Sequence, residues 1–254
     1  MKRTSSKKRS AFSLIELSIV LIIIGLLVAG ITGGASLIKS SELRSVMGEA
    51  RGYAVAVNAF FNQFNAYPGD YGVTVGGVSD ALGDADSRIE YYSGEVPSGG
   101  TRSESAAAFV HLRYSGTIDN LPATIALVEA TTVPTFGTSA NSGSNAPSSK
   151  SRGNGWLFDY NTTSTQNVAV FTGTGVAVAA GSTNTLVNGT SITAAALIGA
   201  DLLSIDAKLD DGVSTAGKVR GIDPVSQTCI SGTGYITSSG TTKICAFSFQ
   251  IDVS

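Results

Sequence analysis

The residue that most needs a chemical explanation is Glu16, because it stands in an otherwise almost entirely apolar run, residues 12–31. An ionised carboxylate near the centre of a membrane helix costs about 2.5–3.5 kcal/mol, so an acid in such a segment is a candidate functional residue by default. The run contains 20 residues, which is the length that a helix needs to cross a hydrocarbon core. We therefore expect a membrane helix that carries one functional carboxylate.

A second group of candidate residues lies near the C-terminus, where Asp206, Asp210 and Asp211 precede Gly212. A helix that ends in an Asp-Asp-Gly sequence can place several carboxylates around a calcium ion, which prefers oxygen ligands. The alternative is that Asp210 and Asp211 are ordinary polar residues of a turn. Earlier in the chain another acidic stretch spaces its oxygen atoms as a calcium loop would, but we interpret it as a solvated loop: Asp80, Asp84, Asp86 and Glu90.

Charge is distributed unevenly along the chain. Five of the 17 basic residues lie within the first 11 positions, which contain no acid, and the remaining 243 residues have 12 basic and 19 acidic side chains. Since positive loops stay in the cytoplasm, this asymmetry predicts that the acidic bulk lies across the membrane. An acidic domain with scattered Lys and Arg offers no basic patch for a nucleic acid.

The two cysteines, Cys229 and Cys245, are a further candidate pair. In an exported domain such a pair predicts a disulfide, and closing a loop of about 15 residues contributes about 3 kcal/mol in the chain-entropy model. Two buried thiols are the alternative. His111 is the only histidine and lies far from both cysteines, so no zinc spacing is present. We find no nucleophile set and no phosphate loop, and we expect a protein that is not an enzyme.

The periodicity of the sequence predicts the elements that must position these residues. Apolar residues recur at steps of three and four over residues 43–64, which is typical of an amphipathic helix with one buried stripe. Joined to the membrane run, this makes one helix that ends before Pro68. We expect curvature or partial melting near Gly33 and Gly34, because each glycine weakens a helix by about 1 kcal/mol.

Beyond the first helix the pattern changes to short helices and strands. Thr101 and Glu104 resemble a capping box that opens a helix ending at Gly116, and a second helix is predicted at residues 193–209. Strands are predicted at residues 89–92, 156–160, 168–171, 176–179, 235–237 and 244–251, with a hairpin between the third and the fourth. We expect the last two strands to pair with each other and to be joined by the disulfide.

The order of a basic leader, a small residue, an aromatic residue and a glutamate resembles the N-terminal segment of type IV pilins and of the pseudopilins of type II secretion. In this chain Ala11, Phe12 and Glu16 occupy the last three positions, and Ala11 stands where the family mostly has glycine. The resemblance implies cleavage between Ala11 and Phe12 by a prepilin peptidase and N-methylation of Phe12. It also implies that Glu16 pairs with the freed amine of Phe12 on a neighbouring subunit.

The resemblance implies an α+β, pilin-like fold in which a long N-terminal helix, transmembrane in its first half, packs on a C-terminal antiparallel sheet. The expected organisation is a basic leader at residues 1–11, the helix at 12–66 and an exported globular domain at 67–254. Pseudopilins often bind calcium in the C-terminal half, and the resemblance extends this expectation to Asp206, Asp210 and Asp211.

The expected function is that of a structural subunit, a minor pilin or pseudopilin of a type II secretion or type IV pilus-like filament. Its expected partners are other pilin subunits, the prepilin peptidase and the inner membrane, which it crosses once with the C-terminal domain in the periplasm or in an extracytoplasmic filament. Two other interpretations of the apolar run are a secretory signal peptide and a plain signal anchor. The alternative function is therefore a membrane-anchored exported binding protein or adhesin.

Overall fold

The computed structural model describes residues 13–73, 83–91, 104–118, 146–151, 153–173, 186–188 and 192–252. The chain divides into two compact units, Met1–Glu42 and Leu43–Ser254, which are considered separately below. The leader, Ala11 and Phe12 lie outside the described residues, and so does the strand predicted at residues 176–179.

Helix α1 (Leu14–Phe64) contains 51 residues and supplies nearly all the described residues of the first unit. Its apolar side chains in that unit are exposed, for example Leu14 at 86% and Leu26 at 70%. By length and composition alone, this part of the helix is able to span a membrane. Gly33 and Gly34 are helical, so the predicted partial melting is absent. The cost of about 1 kcal/mol per glycine is spread over a long cooperative helix that has many good helix formers.

In the second unit, α1 buries one stripe of side chains, which confirms the predicted amphipathic pattern. Val46, Ala50, Val57 and Phe60 are all fully buried. The helix ends at Phe64, and Asn65 follows with a φ of 54°, before the turn at residues 67–70. Pro68 explains this end, since proline disfavours helical backbone at the residue before it.

The core of the second unit is an antiparallel four-stranded sheet with the strand order β1-β2-β6-β3. The described elements after α1 are α2 (Glu104–Tyr114), β1 (Asn154–Asn161), β2 (Gln166–Gly173), η1 (Leu186–Asn188), α3 (Gly199–Leu209), β3 (Val219–Ile222), β4 (Ile230–Ser231), β5 (Gly234–Tyr235), η2 (Thr237–Ser239) and β6 (Ala246–Gln250). Strands β4 and β5 form a separate two-stranded ribbon. A long N-terminal helix with a C-terminal antiparallel sheet is the α+β, pilin-like architecture predicted above.

The sheet has two different faces because side chains alternate along each strand. On the inner face Trp156, Phe158, Phe171 and Phe247 join the stripe of α1 and residues of α2 and α3 in the main core. The outer face carries a smaller cluster that includes Leu157, Val168, Val170 and Ile222. Register fixes this division, since Trp156 faces Phe171 and Phe171 faces Phe247 across the strands.

Three local predictions were wrong. Residues 89–91 form no strand, because the amides of Ile89 and Tyr91 donate to the side chains of Asn167 and Asp159 instead. The helix predicted from residue 193 starts at Gly199, since residues 194–197 bond to Gly173 and Cys245.

The third error concerns strand pairing near the C-terminus. Tyr235 pairs with Ile230 in the small ribbon rather than with β6, and β6 lies between β2 and β3. The predicted disulfide is nevertheless confirmed: Cys229 and Cys245 are bonded, with their Cα atoms 5.0 Å apart. The bond links the residue immediately before β4 to the residue immediately before β6.

Candidate functional site

Glu16 lies in the first turn of α1, where its carboxylate is exposed. The backbone N–H of Ser13 donates to Glu16 Oε2 over 2.8 Å, which is the reciprocal half of a capping box. A carboxylate at this end of a helix is also stabilised by the helix dipole. Glu16 therefore presents its carboxylate at the start of α1, four residues in sequence after Phe12. Ala11 and Phe12, the predicted processing residues, lie outside the described part of the chain.

The three aspartates predicted near the C-terminus do come together in space. Carboxylate oxygens of Asp206, Asp210 and Asp211 all lie within 4.8 Å of one another. Asp206 is in the last turns of α3, and its backbone oxygen accepts a bond from the Asp210 amide. Helix α3 ends at Leu209, between Asp206 and the other two aspartates, so the helix end and the turn that follows it position the cluster.

The carboxylate of Asp206 is the most constrained of the three. Asp206 is fully buried, and its Oδ2 accepts a bond from the hydroxyl of Tyr235 over 2.7 Å. Its Oδ1 is buried and has no hydrogen-bond partner among the described residues. Burial raises the pKa of Asp206, and the neighbouring charges of Asp211 and Asp210 raise it further. A bound cation would reverse both effects.

The other two aspartates are exposed and are held by backbone amides. Asp210 accepts a bond from the amide of Lys218, and Asp211 accepts one from Val213 over 2.8 Å. Gly217 closes around this pair: it has a φ of +70°, and a Cβ there would lie 1.7 Å from Asp210 Oδ2. Only glycine fits, so this turn is shaped around a carboxylate. Asp223, which follows β3, is not one of the three converging acids. Its carboxylate accepts bonds from the amides of Cys229 and Ile230.

A second acidic cluster combines residues that sequence patterns had assigned to separate roles. Carboxylate oxygens of Asp70, Asp84 and Glu104 lie within 4.8 Å of one another. Asp70 and Glu104 are nearly fully buried, at 3% and 5% exposure. Asp84 belonged to the acidic stretch interpreted as a solvated loop, whereas Asp70 was missed in its turn and Glu104 was interpreted as a cap. Asp80 lies outside the described residues.

Backbone amides of one loop surround the two buried acids of this cluster. Asp70 accepts bonds from the amides of Asp86 and Ser87, at 3.1 and 2.8 Å. Glu104 accepts bonds from the amides of Asp84 and Glu90, at 3.3 and 3.2 Å. The predicted partner of Glu104 in a capping box, Thr101, lies outside the described residues.

Two glycines and the single histidine allow the segments that carry Asp70 and Glu104 to approach each other closely. A Cβ on Gly69, whose φ is +92°, would lie 2.3 Å from the Glu104 carbonyl oxygen, and a Cβ on Gly83 would lie 2.2 Å from Asp70 Cα. The Gly69 amide donates to His111 Nδ1 over 2.9 Å, and the His111 ring stacks on Phe60 at 5.7 Å. His111 thus fixes the turn at Gly69.

Burial dominates the electrostatics of this second cluster. It raises the pKa of Asp70 to about 6 and that of Glu104 to about 8. Backbone hydrogen bonds oppose the shift, and mutual repulsion between the carboxylates adds to it. Three converging carboxylates could hold a hard divalent cation. Without one, the cluster is most stable when it keeps protons.

Comparison with known protein families gives a match that lies in the first unit. Residues 6–32 match the family described as "Prokaryotic N-terminal methylation motif". This motif is the signature of the prepilin-type cleavage segment of type IV pilins and pseudopilins, which are structural rather than catalytic proteins. The match includes Ala11, Phe12 and Glu16, and it supports a pilin-like subunit. No curated protein and no solved structure is significantly similar to the chain.

We predict that the second unit loses stability as the pH rises from about 4 to 8 in the presence of a chelator. The folded-state pKa of Glu104, about 8, lies above its ordinary value of 4.5, so between these values the folded chain holds a proton that the unfolded chain releases. Asp70 adds to the fall up to pH about 6. The measurement is the free energy of denaturant unfolding at a series of pH values.

Glu104→Gln should flatten this decline between about pH 5 and 8. Asp159, which is buried and has a pKa of about 7, contributes in the same window, so the difference between wild type and variant isolates Glu104. Glu42→Gln, at an exposed position of α1, is the matched control. If the unfolding free energies of wild type and Glu104→Gln depend on pH in the same way, Glu104 is not the source of the decline.

Proposed function

We propose that this chain is a structural subunit, a minor pilin or pseudopilin of a type II secretion or type IV pilus-like filament. The observation that carries the proposal is the methylation motif at residues 6–32, which coincides with the start of an exposed apolar helix. Residues 67–254 would lie in the periplasm or in an extracytoplasmic filament, anchored by one inner-membrane span.

The proposed maturation follows from the same motif. A prepilin peptidase would cleave between Ala11 and Phe12 on the cytoplasmic side, and Phe12 would then be N-methylated. Cleavage leaves a cationic amine four residues before Glu16. Because an unpaired carboxylate in a membrane is costly, Glu16 gains most from a cation supplied at the same depth.

Glu16 is proposed to pair with the Phe12 amine of a neighbouring subunit. Its carboxylate is exposed on the first turn of α1, and one oxygen, Oε2, is engaged by Ser13. A carboxylate has about four lone-pair positions, so that bond leaves room for a second donor. Pairing in a low-dielectric environment would set the register of adjacent subunits.

A calcium ion is proposed at Asp206, Asp210 and Asp211. Support comes from the convergence of the three carboxylates within 4.8 Å and from the buried Asp206 Oδ1, which has no hydrogen-bond partner among the described residues. Calcium takes six to eight oxygen ligands with flexible geometry, which suits a helix end followed by a turn. The ion would stabilise the C-terminal part of the second unit.

The first test is the mature N-terminus. Intact-mass analysis of the purified protein, combined with N-terminal peptide sequencing, should show a chain that begins with N-methylated Phe12. An uncleaved Met1, or a start near Ser36 as for a secretory signal peptide, would contradict the proposal and favour the anchored binding protein or adhesin. Ala11→Gly, which restores the commoner residue of the family, should be processed at the same bond.

The second test separates the charge of Glu16 from its role at the helix start. Glu16→Gln keeps an acceptor for the Ser13 amide but removes the charge, and Glu16→Leu removes both. Both variants should insert into the membrane and be cleaved, yet crosslinking to partner pilins should fall about tenfold or more, because a desolvated charge pair is lost.

Glu42→Gln, which removes an exposed acid from the same helix, should assemble like wild type. If Glu16→Gln assembles as well as wild type, the charge pairing is wrong. If Glu42→Gln fails equally, assembly responds to helix charge in general and Glu16 has no special role.

The third test concerns calcium. Excess calcium should raise the melting temperature of the protein, and Asp210→Asn should abolish the shift while retaining an acceptor for the Lys218 amide. Asp84→Asn is the matched control in the other cluster. If the shift persists in Asp210→Asn but disappears in Asp84→Asn, the ion binds at Asp70, Asp84 and Glu104, and the assignment to Asp206, Asp210 and Asp211 is wrong.

A further inference from the structure

A cleft of about 270 Å³ opens on the outer face of the sheet, next to β3. Its wall includes Arg220, the loop residues Ser214 and Thr215, and Thr162 and Thr163 of the β1–β2 turn. It lies well apart from Glu16 in sequence, and none of the residues of the two acidic clusters is among its lining residues. Its size is at the small end for ligand sites, so it suits a small molecule rather than a polymer chain.

Arg220 gives the cleft its charge. It faces Ser248 across the sheet, and this register places it on the outer face together with Ile222. Its Nε donates to the Gly217 carbonyl over 3.2 Å, and in the described part of the chain it forms no salt bridge. No carboxylate occurs among the described lining residues. The cleft therefore offers one uncompensated cation in a domain that is acidic overall.

Ser214 supplies a second, independent indication of a ligand. The residue is fully buried, and both its backbone groups are engaged, since its amide donates to Thr233 and its carbonyl accepts from Gly221. Its hydroxyl, however, has no hydrogen-bond partner among the described residues. Leaving a buried hydroxyl unpaired is unfavourable. The hydroxyl is covered in the cleft as it stands, so a ligand group would satisfy it once a shift of the cleft wall uncovers it.

The remaining wall is rich in uncharged polar groups. Thr162, Thr163 and Thr215 are exposed at the rim and bring hydroxyls, which both donate and accept hydrogen bonds. Val187 and Ile230 contribute apolar surface. A guanidinium beside several hydroxyls and a small apolar patch complements a ligand with one carboxylate and several hydroxyls.

We infer that this cleft binds a small hydroxylated carboxylate with the chemistry of an acidic monosaccharide. The carboxylate would pair with Arg220, whose planar fork matches carboxylate geometry, and the ligand hydroxyls would bond to Ser214 and the threonines. A filament subunit with such a site would carry a receptor function in addition to its structural one.

The test uses the full-length protein in detergent and sodium glucuronate as the probe, with binding followed by isothermal titration calorimetry. Saturable binding is expected, and Arg220→Gln should weaken it about tenfold or more, the usual effect of losing a charge-assisted hydrogen bond. Arg51→Gln, at an exposed position on α1, should bind like wild type. Glucose and inorganic phosphate, which lack the carboxylate and the sugar hydroxyls respectively, should bind at least tenfold more weakly.

Thr163→Val provides a second variant should Arg220→Gln fold poorly, because Thr163 is exposed in a turn and the change removes only its hydroxyl. It should weaken glucuronate binding severalfold. The inference is overturned by absence of saturable binding, by equal binding of glucose or phosphate, or by unchanged affinity in Arg220→Gln and Thr163→Val. These outcomes do not depend on filament assembly.

Discussion

The second unit depends on the burial of one stripe of α1 against the inner face of the sheet. Tyr53 stands at the centre of this contact, with ring centroids 5.9 Å from Phe109, 5.5 Å from Trp156 and 5.6 Å from Phe158. One turn earlier, Glu49 accepts a bond from Trp156 Nε1 over 2.8 Å and others from Ser149 and Lys150. Aromatic packing stabilises this contact, and Glu49 fixes the register between helix and strand.

The polar groups of this unit are organised differently, around carboxylates that backbone amides hold. Asp70, Glu104 and Asp159 each accept bonds from loop amides far away in sequence. Such bonds satisfy amides that no strand or helix engages, which explains how long irregular segments pack against a small sheet. The same burial raises the pKa of each acid, so the loops are held by groups that respond to protons or to cations.

In the described part of the first unit, the apolar side chains of α1 are exposed and lack such packing. These side chains are exposed over a length that matches a membrane span, and large exposed apolar surfaces mark contact with lipid or with another protein. Under the function we propose, the subunit is stored in a membrane and later packed into a filament, so its helix would have to tolerate both environments. Glu16 would then be compatible with both only if a cation reaches it.

Sequence alone determined the features that depend on local pattern. Four features were predictable because each rests on spacing, periodicity or composition. They are the motif at residues 6–32, the buried stripe of α1, the end of α1 before Pro68 and the cysteine pair. The approach of Asp206, Asp210 and Asp211 was also predictable, because three acids within the six residues 206–211 at a helix end cannot lie far apart. Tertiary structure decided the rest. It placed β6 between β2 and β3, where strand pairing depends on contacts distant in sequence, and it left residues 89–91 without a strand, because side chains took their amides. It also brought Asp70, Asp84 and Glu104 together, because these residues lie in three separate segments whose approach no local sequence pattern records.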